Sequence, residues 1–174
     1  MSIFDRAARE PDGLALDDLT HRRSWAELID RGTRIAHLLR DDLGLGADDH
    51  AAVLMESRVE FMELTLGAML AGIWLTPINW HLGPGEVAYI VEDSGARVLF
   101  SDARFESAAR QTAAAEVITV GDELDRALAY DPGLPDAATA SSRLHTDDFP
   151  VLEYRWSHGV EWVSILDSPL VDSD

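Results

Sequence analysis

The sequence predicts an α/β fold, with a mostly parallel sheet and helices on both of its faces. Short apolar runs alternate with helix-length segments in which apolar residues recur on one face, the pattern of consecutive βα units. Ser-x-x-Glu capping boxes mark helix starts, and glycines such as Gly72 and Gly95 mark helix ends. These signals favour parallel strands joined by right-handed helical crossovers.

The first part of the chain predicts short entry elements and then one long helix. A turn of helix fits residues 3–9, and residues 14–16 suit an edge strand. Ser24 and Glu27 have capping-box spacing, and the apolar residues after them fall on one helical face. Because Gly44 follows, we expect this helix to end near residue 43.

The clearest βαβ pattern begins at residue 51. Residues 51–55 form an apolar run that suits a strand buried on both faces. Ser57 and Glu60 have the spacing of a second capping box, and Gly72 closes the helix that follows. Residues 73–76 then predict the next strand.

The alternation continues to residue 130. Pro84 suits the first position of a helix, and Asp102 is placed to cap another. The elements predicted here are a helix over 84–94, a strand over 97–101, a helix over 103–115, a strand over 117–120 and a helix over 122–130.

The chain therefore divides into one α/β unit, a linker and a tail. Residues 1–130 form the α/β unit, and residues 131–143 are a linker rich in Pro, Ala, Thr and Ser. Residues 144–174 have no helical or strand period, except that residues 162–166 suit a strand. We expect this tail to be poorly ordered.

Composition excludes several function classes. The net charge is −18, and all 14 basic residues are arginine, so no mechanism within this chain uses a lysine ammonium. An acidic surface repels nucleic acid phosphates and anionic lipids. There is no cysteine for a disulfide or a thiolate metal site, and no apolar run approaches the roughly 20 residues of a membrane span. Without a signal-peptide pattern at Met1, we expect a cytoplasmic protein.

The acidic pairs and the histidines do not predict a metal site. Pairs such as Asp17-Asp18 and Asp48-Asp49 lie where turns are predicted, and turns are the usual place for aspartate. The six histidines lack the spacing of a zinc site. Only His81 stands out, because it follows a predicted strand, where α/β folds place groups that contact ligands. Packing within the loop explains His81 equally well.

Nucleotide and hydrolase motifs are also missing. Neither Gly-x-Gly-x-x-Gly nor Gly-x-x-x-x-Gly-Lys-Ser/Thr occurs, and no nucleophile elbow is found. Gly44 and Gly46 follow a helix rather than precede one, so they suit a helix end rather than a phosphate cradle.

Three stretches together resemble a known family. Residues 24–28, Ser-Trp-Ala-Glu-Leu, are similar to a Thr-Tyr-x-Glu-Leu helix start, and residues 70–79 resemble an Ala-Gly-x-x-x-x-Pro-x-Asn strand segment. Residues 79–82 and 86–96 continue in the style of fatty-acyl-CoA ligases. Their order identifies residues 1–130 as similar to the amino-terminal part of the AMP-forming acyl-CoA synthetases, in the adenylate-forming superfamily.

This resemblance implies a two-step reaction with a small carboxylic acid as substrate. The carboxylate attacks ATP to give acyl-AMP and pyrophosphate with the help of magnesium, and the thiol of CoA then displaces AMP. It implies that the loop after residue 78 lies near the acyl side of a complete synthetase, with Trp80 and His81 as substrate-pocket candidates.

The departures from the family matter as much. Its phosphate loop, its adenine and ribose motifs and its catalytic lysine are all missing from this sequence. We therefore assign no catalytic, cofactor-binding or metal-binding residue, and we expect ATP, magnesium and CoA to be bound by the full-length family rather than by this fragment.

The tail suggests a frameshift. If residues 152–156 were encoded CTC-GAG-TAC-CGG-TGG, the frame one base along would read Ser-Ser-Thr-Gly followed by a codon starting GG. That is the composition of the missing phosphate loop. The gene sequence tests this expectation, which continuing synthetase motifs in the shifted frame would support.

The leading hypothesis is a catalytically incomplete amino-terminal fragment of an acyl-CoA synthetase. The chain could instead be one half of a split enzyme, or a non-catalytic, flavodoxin-like domain for binding or interaction. Because relatives pack this sheet against further structure, we also expect exposed apolar surface that favours self-association.

Overall fold

The computed structural model describes residues 3–129 and the backbone of residues 155–156 and 159–160. The elements are α1 (Ile3–Arg9), β1 (Leu14–Asp17), β2 (Arg22–Ser24), α2 (Trp25–His37), β3 (His50–Leu54), α3 (Val59–Ala71), β4 (Trp74–Ile78), α4 (Pro84–Ser94), β5 (Ala96–Asp102), α5 (Glu106–Ala109), β6 (Glu116–Val120), α6 (Asp122–Leu128), β7 (Arg155–Trp156) and β8 (Gly159–Val160). A π-helical turn (Leu38–Asp42) extends α2, and a 3-10 turn (Ala103–Phe105) precedes α5.

The sheet confirms the predicted fold class. Four parallel strands lie in the order β4-β3-β5-β6, and β1 and β2 form a separate antiparallel hairpin. Because β4 and β5 flank β3 on opposite sides, the connections after β3 and β4 run in opposite directions across the sheet. Right-handed crossovers therefore place α3 and α4 on opposite faces.

Alternation along the strands divides the core between these two faces. Ala51 and Val53 of β3 belong to the larger apolar cluster, with residues of α2, α3 and α6. Ala52 and Leu54 belong to the second cluster, with residues of α4 and α5. Successive strand residues point to opposite faces, so a continuous apolar run is buried on both sides.

Glycines bring α2 and α3 into close contact. A Cβ on Gly32 would lie 2.6 Å from Leu66 Cδ2, and a Cβ on Gly67 would lie 3.1 Å from the Gly32 carbonyl oxygen and would overlap Ile35. The helices can approach this closely only because neither glycine carries a side chain.

A fully buried carboxylate lies in the same interface. Glu63 has 0% exposure, and its two oxygens each lie 2.6 Å from a guanidinium nitrogen, Nε of Arg23 and Nε of Arg31. Arg31 also reaches Asp125 of α6 at 2.9 Å. One buried acid therefore joins β2 and α2 to α3, and Arg31 extends the network to α6. We name Glu63, Arg23 and Arg31 the interior cluster.

The predicted helix over 103–115 is wrong in length, since α5 has only four residues. The Thr112 hydroxyl and backbone N–H both donate to the Ala109 carbonyl, and the Gln111 side chain donates to the Ser107 carbonyl. These tight local bonds end the helix, and the Ala-rich sequence offers little apolar surface to stabilise a longer one. The strand β2 was also not predicted.

Other sequence predictions were confirmed. Gly72 and Gly95 end α3 and α4 in the left-handed conformation, at φ values of 69° and 66°. The strand predicted over 73–76 ends two residues too early, since β4 continues to Ile78 and Pro77 lies within this outer strand of the sheet. The predicted linker, most of the tail and the strand over 162–166 lie outside the described residues. Within the described part of the chain, no helix is long and apolar enough to span a bilayer.

Candidate functional site

The carboxyl ends of three adjacent parallel strands meet at one edge of the sheet. Glu56 follows β3, Asn79 to His81 follow β4, and Arg104 and Phe105 follow β5. In open α/β sheets, ligands bind at the carboxyl ends of the strands, where neighbouring connections diverge. We name Glu56, Asn79, Trp80, His81, Arg104 and Phe105 the edge cluster.

Trp80 and His81 form a stacked pair at this edge. Their ring centroids are 3.5 Å apart, with an angle of 29° between the planes. The Asn79 Oδ1 atom accepts from the His81 backbone N–H at 3.1 Å and lies 3.0 Å from His81 Nδ1. Trp80 packs against the apolar cluster under α4, whereas His81 is exposed. The loop thus presents a flat, ordered aromatic surface to solvent.

Arg104 lies beside two aromatic rings. Its Cζ is 4.8 Å from the centroid of Phe105 and 5.5 Å from that of Trp80. At these distances the quadrupole of each ring attracts the guanidinium. The Nη1 atom of Arg104 also lies 2.5 Å from Glu56 Oε1. Aromatic rings and one carboxylate therefore fix an exposed cation in position.

A buried carboxylate supports the edge cluster from below. Asp102, at the end of β5, is 5% exposed and accepts from Arg58 Nη1 at 2.6 Å and from the Glu56 backbone N–H at 3.2 Å. The prediction that Asp102 caps the following helix is therefore wrong, since no such bond forms. Asp102 instead joins the end of β5 to the loop after β3, and so helps to place Glu56.

The second capping box, Ser57 with Glu60, is also absent. The residue before α3 is Arg58, which makes no side-chain cap, and Glu60 pairs with Arg58 at 3.0 Å instead. The first N–H of α3, from Val59, donates to Asp18 Oδ2 at 3.0 Å. A residue 41 positions earlier thus caps the helix.

Hydrogen bonds from backbone N–H groups lower the pKa of Asp18. Backbone N–H groups of His21 and then Val59 stabilise its carboxylate, so its pKa falls from 3.8 to about 2. Asp18 therefore remains ionised well into the acid range and keeps α3 capped.

Within residues 3–129, the fold brings together a group of side chains that could ligate a metal, which the sequence did not indicate. One ligand atom each from Asp18, His21 and Glu60 lie within 4.8 Å of one another. Two carboxylates and an imidazole would suit a transition metal. The carboxylates, however, already serve the α3 terminus and Arg58. Because this use accounts for both carboxylates, we assign no metal to the cluster.

The structure thus places Trp80 and His81 together, at the sheet edge where sequence reasoning expected ligand contacts. Sequence reasoning missed Arg104, because it placed this residue inside a helix over 103–115. Two signals were available: Arg104 directly follows a predicted strand, and Phe105 beside it is aromatic. Glu56 was missed because it becomes a candidate only through its ion pair with Arg104.

Comparison with known proteins agrees with this architecture. The family model described as AMP-binding enzyme matches residues 3–154, which is most of the chain. The chain therefore belongs to the AMP-binding enzyme family, as the amino-terminal portion of the adenylate-forming fold.

Two characterised relatives illustrate the range of the family. The chain is 30% identical over 130 residues to the fatty acid–[acyl-carrier-protein] ligase ScoC of Streptomyces coeruleorubidus, an alignment that covers 73% of this chain and 22% of the relative. It is 32% identical over 129 residues to a 4-hydroxybenzoate–CoA/benzoate–CoA ligase of Rhodopseudomonas palustris, covering 70% of this chain and 24% of the relative. The chain therefore spans about a quarter of the length of these relatives.

A solved structure has a similar fold. The Mycobacterium tuberculosis fatty acyl CoA synthetase superimposes with a TM-score of 0.64 at 30% identity, over 77% of this chain and 29% of that one. The four parallel strands and their helices are thus the amino-terminal architecture of this family.

Proposed function

We propose that the chain forms the amino-terminal part of an ATP-dependent ligase that activates a carboxylic acid and joins it to a thiol. The observation that carries the proposal is the family match over residues 3–154. Two relatives support it, since both are named as ligases that join an acid to an acyl-carrier protein or to CoA. One is named for a fatty acid and the other for benzoates, so the acid itself is left to experiment.

The arginines at the carboxyl ends of the strands do not fit a triphosphate site. Such a site needs several cations free to meet phosphate oxygens. Here Arg104 is paired with Glu56, and Arg58 with Glu60 and Asp102. We therefore place no step of adenylate formation on these residues. ATP, magnesium and CoA would be held by the rest of a full-length family member, and this chain alone is proposed to be catalytically incomplete.

Within this scheme, the edge cluster is the part of the chain that faces ligand. Trp80 and His81 lie at the carboxyl ends of the strands, and their stacked rings suit contact with an acyl or ring group. Because the proposed reaction consumes ATP and CoA, we also propose a cytoplasmic location, which cell fractionation tests.

Pyrophosphate release tests the proposed function. The purified chain is incubated with ATP, magnesium and a panel of fatty and aromatic acids, first alone and then with a fragment that carries the remaining part of the family fold. We expect no release alone and release on complementation. Pyrophosphate release by the chain alone would contradict the proposal that it is catalytically incomplete. No release with any fragment and any acid would count against the proposed ligase function.

Self-association is a further proposal, supported by exposed apolar side chains on the β1–β2 hairpin. Leu19 is 97% exposed and Leu14 is 60% exposed. Light scattering should give an average mass that rises with concentration for the wild-type chain. At each concentration, the average mass of Leu19→Asn should be smaller. Asparagine tolerates the positive φ of 72° at this position, so the substitution should keep the turn. Equal masses for both proteins would contradict the proposal.

A further inference from the structure

Arg104 connects the ends of three strands. It follows β5, and its guanidinium lies 5.5 Å from the ring centroid of Trp80, which follows β4. The strand β3 lies between these two strands, and Glu56, which follows β3, pairs with Arg104 Nη1 at 2.5 Å. One side chain therefore crosses the end of the middle strand and joins the loops on both sides of it.

The position of Arg104 is fixed without any help from Trp80. Asp102, two residues earlier, is 5% exposed and accepts from the Glu56 backbone N–H at 3.2 Å, so the end of β5 is tied to the loop after β3. The Glu56 side chain then holds the guanidinium, and the ring of Phe105 lies 4.8 Å from it. These contacts make Arg104 a fixed point against which another group can be held.

The loop that carries Trp80 and His81 has no such tie to a second strand. In the described part of the chain, the hydrogen bonds recorded for residues 79–83 join residues no more than four positions apart. The Trp80 ring packs on the apolar cluster under α4, at 6.3 Å from the ring of Phe105, and it stacks on His81. Its orientation therefore depends on side-chain contacts, and Arg104 supplies a charged one.

The pair of Arg110 and Glu106 shows what is distinctive about Arg104. Arg110 lies 2.7 Å from Glu106, with 55% and 41% of the two side chains exposed, against 54% and 40% for Arg104 and Glu56. The two pairs match in chemistry and in exposure. Within residues 3–129, aromatic rings are recorded beside Arg104 but not beside Arg110. Arg110 is therefore a matched control for the effect of Arg104 on the rings.

We propose that Arg104 is a positioning residue for the proposed ligase: it holds the Trp80 ring, and through the stack His81, in the orientation that contacts the acyl group. The inference rests on the proposed function and deepens it, because it names a residue that sets the shape of the same edge. Arg104 meets no substrate in this scheme, since Glu56 is bonded to it. It acts through Trp80 alone.

This role predicts an effect on KM rather than on kcat. The attraction between an exposed guanidinium and an aromatic ring corresponds to a change of a few-fold in an equilibrium constant. Without it, a smaller fraction of the molecules holds the ring in the binding orientation, and the apparent affinity falls by that fraction. We expect Arg104→Gln to raise KM for the acid about threefold and to leave kcat unchanged, because no group that reacts is altered.

Nuclear magnetic resonance of the full 174-residue chain tests the positioning directly. The indole N–H resonance of Trp80 is identified as the one missing from Trp80→Phe, and its nitrogen relaxation reports the mobility of the ring. We expect greater mobility in Arg104→Gln and none added in Arg110→Gln. Arg104→Lys keeps a cation for the ring and for Glu56, so it should restore much of the order. Trp25 belongs to another apolar cluster, and its unchanged resonance verifies that each variant is folded.

Kinetics of the complemented enzyme form the second arm of the test. Pyrophosphate release is measured against acid concentration for the wild type, Arg104→Gln, Arg104→Lys and Arg110→Gln, each with the same complementing fragment. KM should rise in Arg104→Gln, return towards the wild-type value in Arg104→Lys and stay unchanged in Arg110→Gln.

The inference is overturned if Arg104→Gln leaves the mobility of Trp80 unchanged, if Arg110→Gln alters it equally, or if kcat falls while KM does not change. A mobile Trp80 ring with an unchanged KM would also remove the inference and leave the ligase standing. Absence of activity in the wild type with every fragment would count against the proposed function, and the relaxation measurement would then decide by itself whether Arg104 holds the ring.

Discussion

The interior cluster and the edge cluster use the same pair of groups, a glutamate and an arginine, in different surroundings. Glu63 is fully buried, and two arginines from two other elements are bonded to it. Glu56 is 40% exposed and holds one arginine, which lies against aromatic rings. In the first case nothing from solvent can replace the acid. In the second, water reaches both charged groups.

The interior cluster and the edge cluster should control different properties of the chain. A buried charge left without its partner retains its full desolvation cost, whereas an exposed one is hydrated by water. The interior cluster should therefore control whether the chain folds, and the edge cluster what it binds. Four substitutions test this difference, from the largest effect on stability to the smallest.

Glu63→Gln should have the largest effect. It leaves two partly buried arginines facing a neutral amide, and we expect a loss of about 3 kcal/mol in the free energy of unfolding. Urea denaturation measures the loss, and Glu106→Gln, which breaks an exposed pair, is the control. A loss below about 1 kcal/mol would mean that water reaches Glu63 and that the two clusters differ less than their exposure indicates.

Gly67→Ala tests the packing around the interior cluster. The added Cβ overlaps Ile35 and lies 3.1 Å from a backbone oxygen, so α2 and α3 must separate. We expect a loss of about 2 kcal/mol despite the better helix propensity of alanine. Gly85→Ala in α4 is the matched control, because its Cβ would meet no atom within 4 Å. Unchanged or increased stability of Gly67→Ala in thermal unfolding would show that the helices can shift without cost.

Asp18→Asn should reduce stability in a way that depends on pH. The folded pKa of about 2 lies below the ordinary value of 3.8, so the wild-type carboxylate stabilises the fold above about pH 4. This contribution is lost as the pH falls from about 4 to 2. The stability difference between wild type and Asp18→Asn should therefore be largest near neutral pH and should shrink in that acid range. Urea midpoints across this range measure the difference, with Asp12→Asn as control, and a constant difference would contradict the capping role.

Glu56→Gln should have the smallest effect on stability, below about 0.5 kcal/mol, because exposed ion pairs contribute little. Urea denaturation in the absence of ligand is the measurement. A destabilisation as great as that of Glu63→Gln would remove the distinction between the two clusters.

Local signals made the fold predictable from sequence. The Ser24 and Glu27 capping box forms with both of its hydrogen bonds, and Gly72 ends α3 in the conformation expected of it. Each of these features depends on residues within one helical turn. The apolar runs within β3 (51–54) and β5 (98–100) were equally clear, because a strand covered on both faces has apolar residues at successive positions.

Long-range contacts set the limits of that prediction. Asp102 was expected to cap its own helix but bonds to Arg58, 44 positions away. The helix α3 was expected to begin with a local capping box of Ser57 and Glu60, but Asp18 caps it from the hairpin. For the candidate site, the sequence located Trp80 and His81 by their place after a strand. Arg104 also follows a predicted strand, but its position beside Trp80 depends on the strand order, which the sequence does not specify.

Pro77 makes the two edges of the sheet unequal as places for a further strand to pair. It lies in the outer strand β4 and has no N–H to donate, so a further strand added beside β4 would lack one hydrogen bond. At the opposite side, β6 contains no proline, and its Thr119 N–H donates to the Glu123 side chain at 2.7 Å. A side chain can turn away and release this donor, whereas Pro77 has none to release. New strands, whether from the same polypeptide or from another copy, should therefore join more readily beside β6 than beside β4.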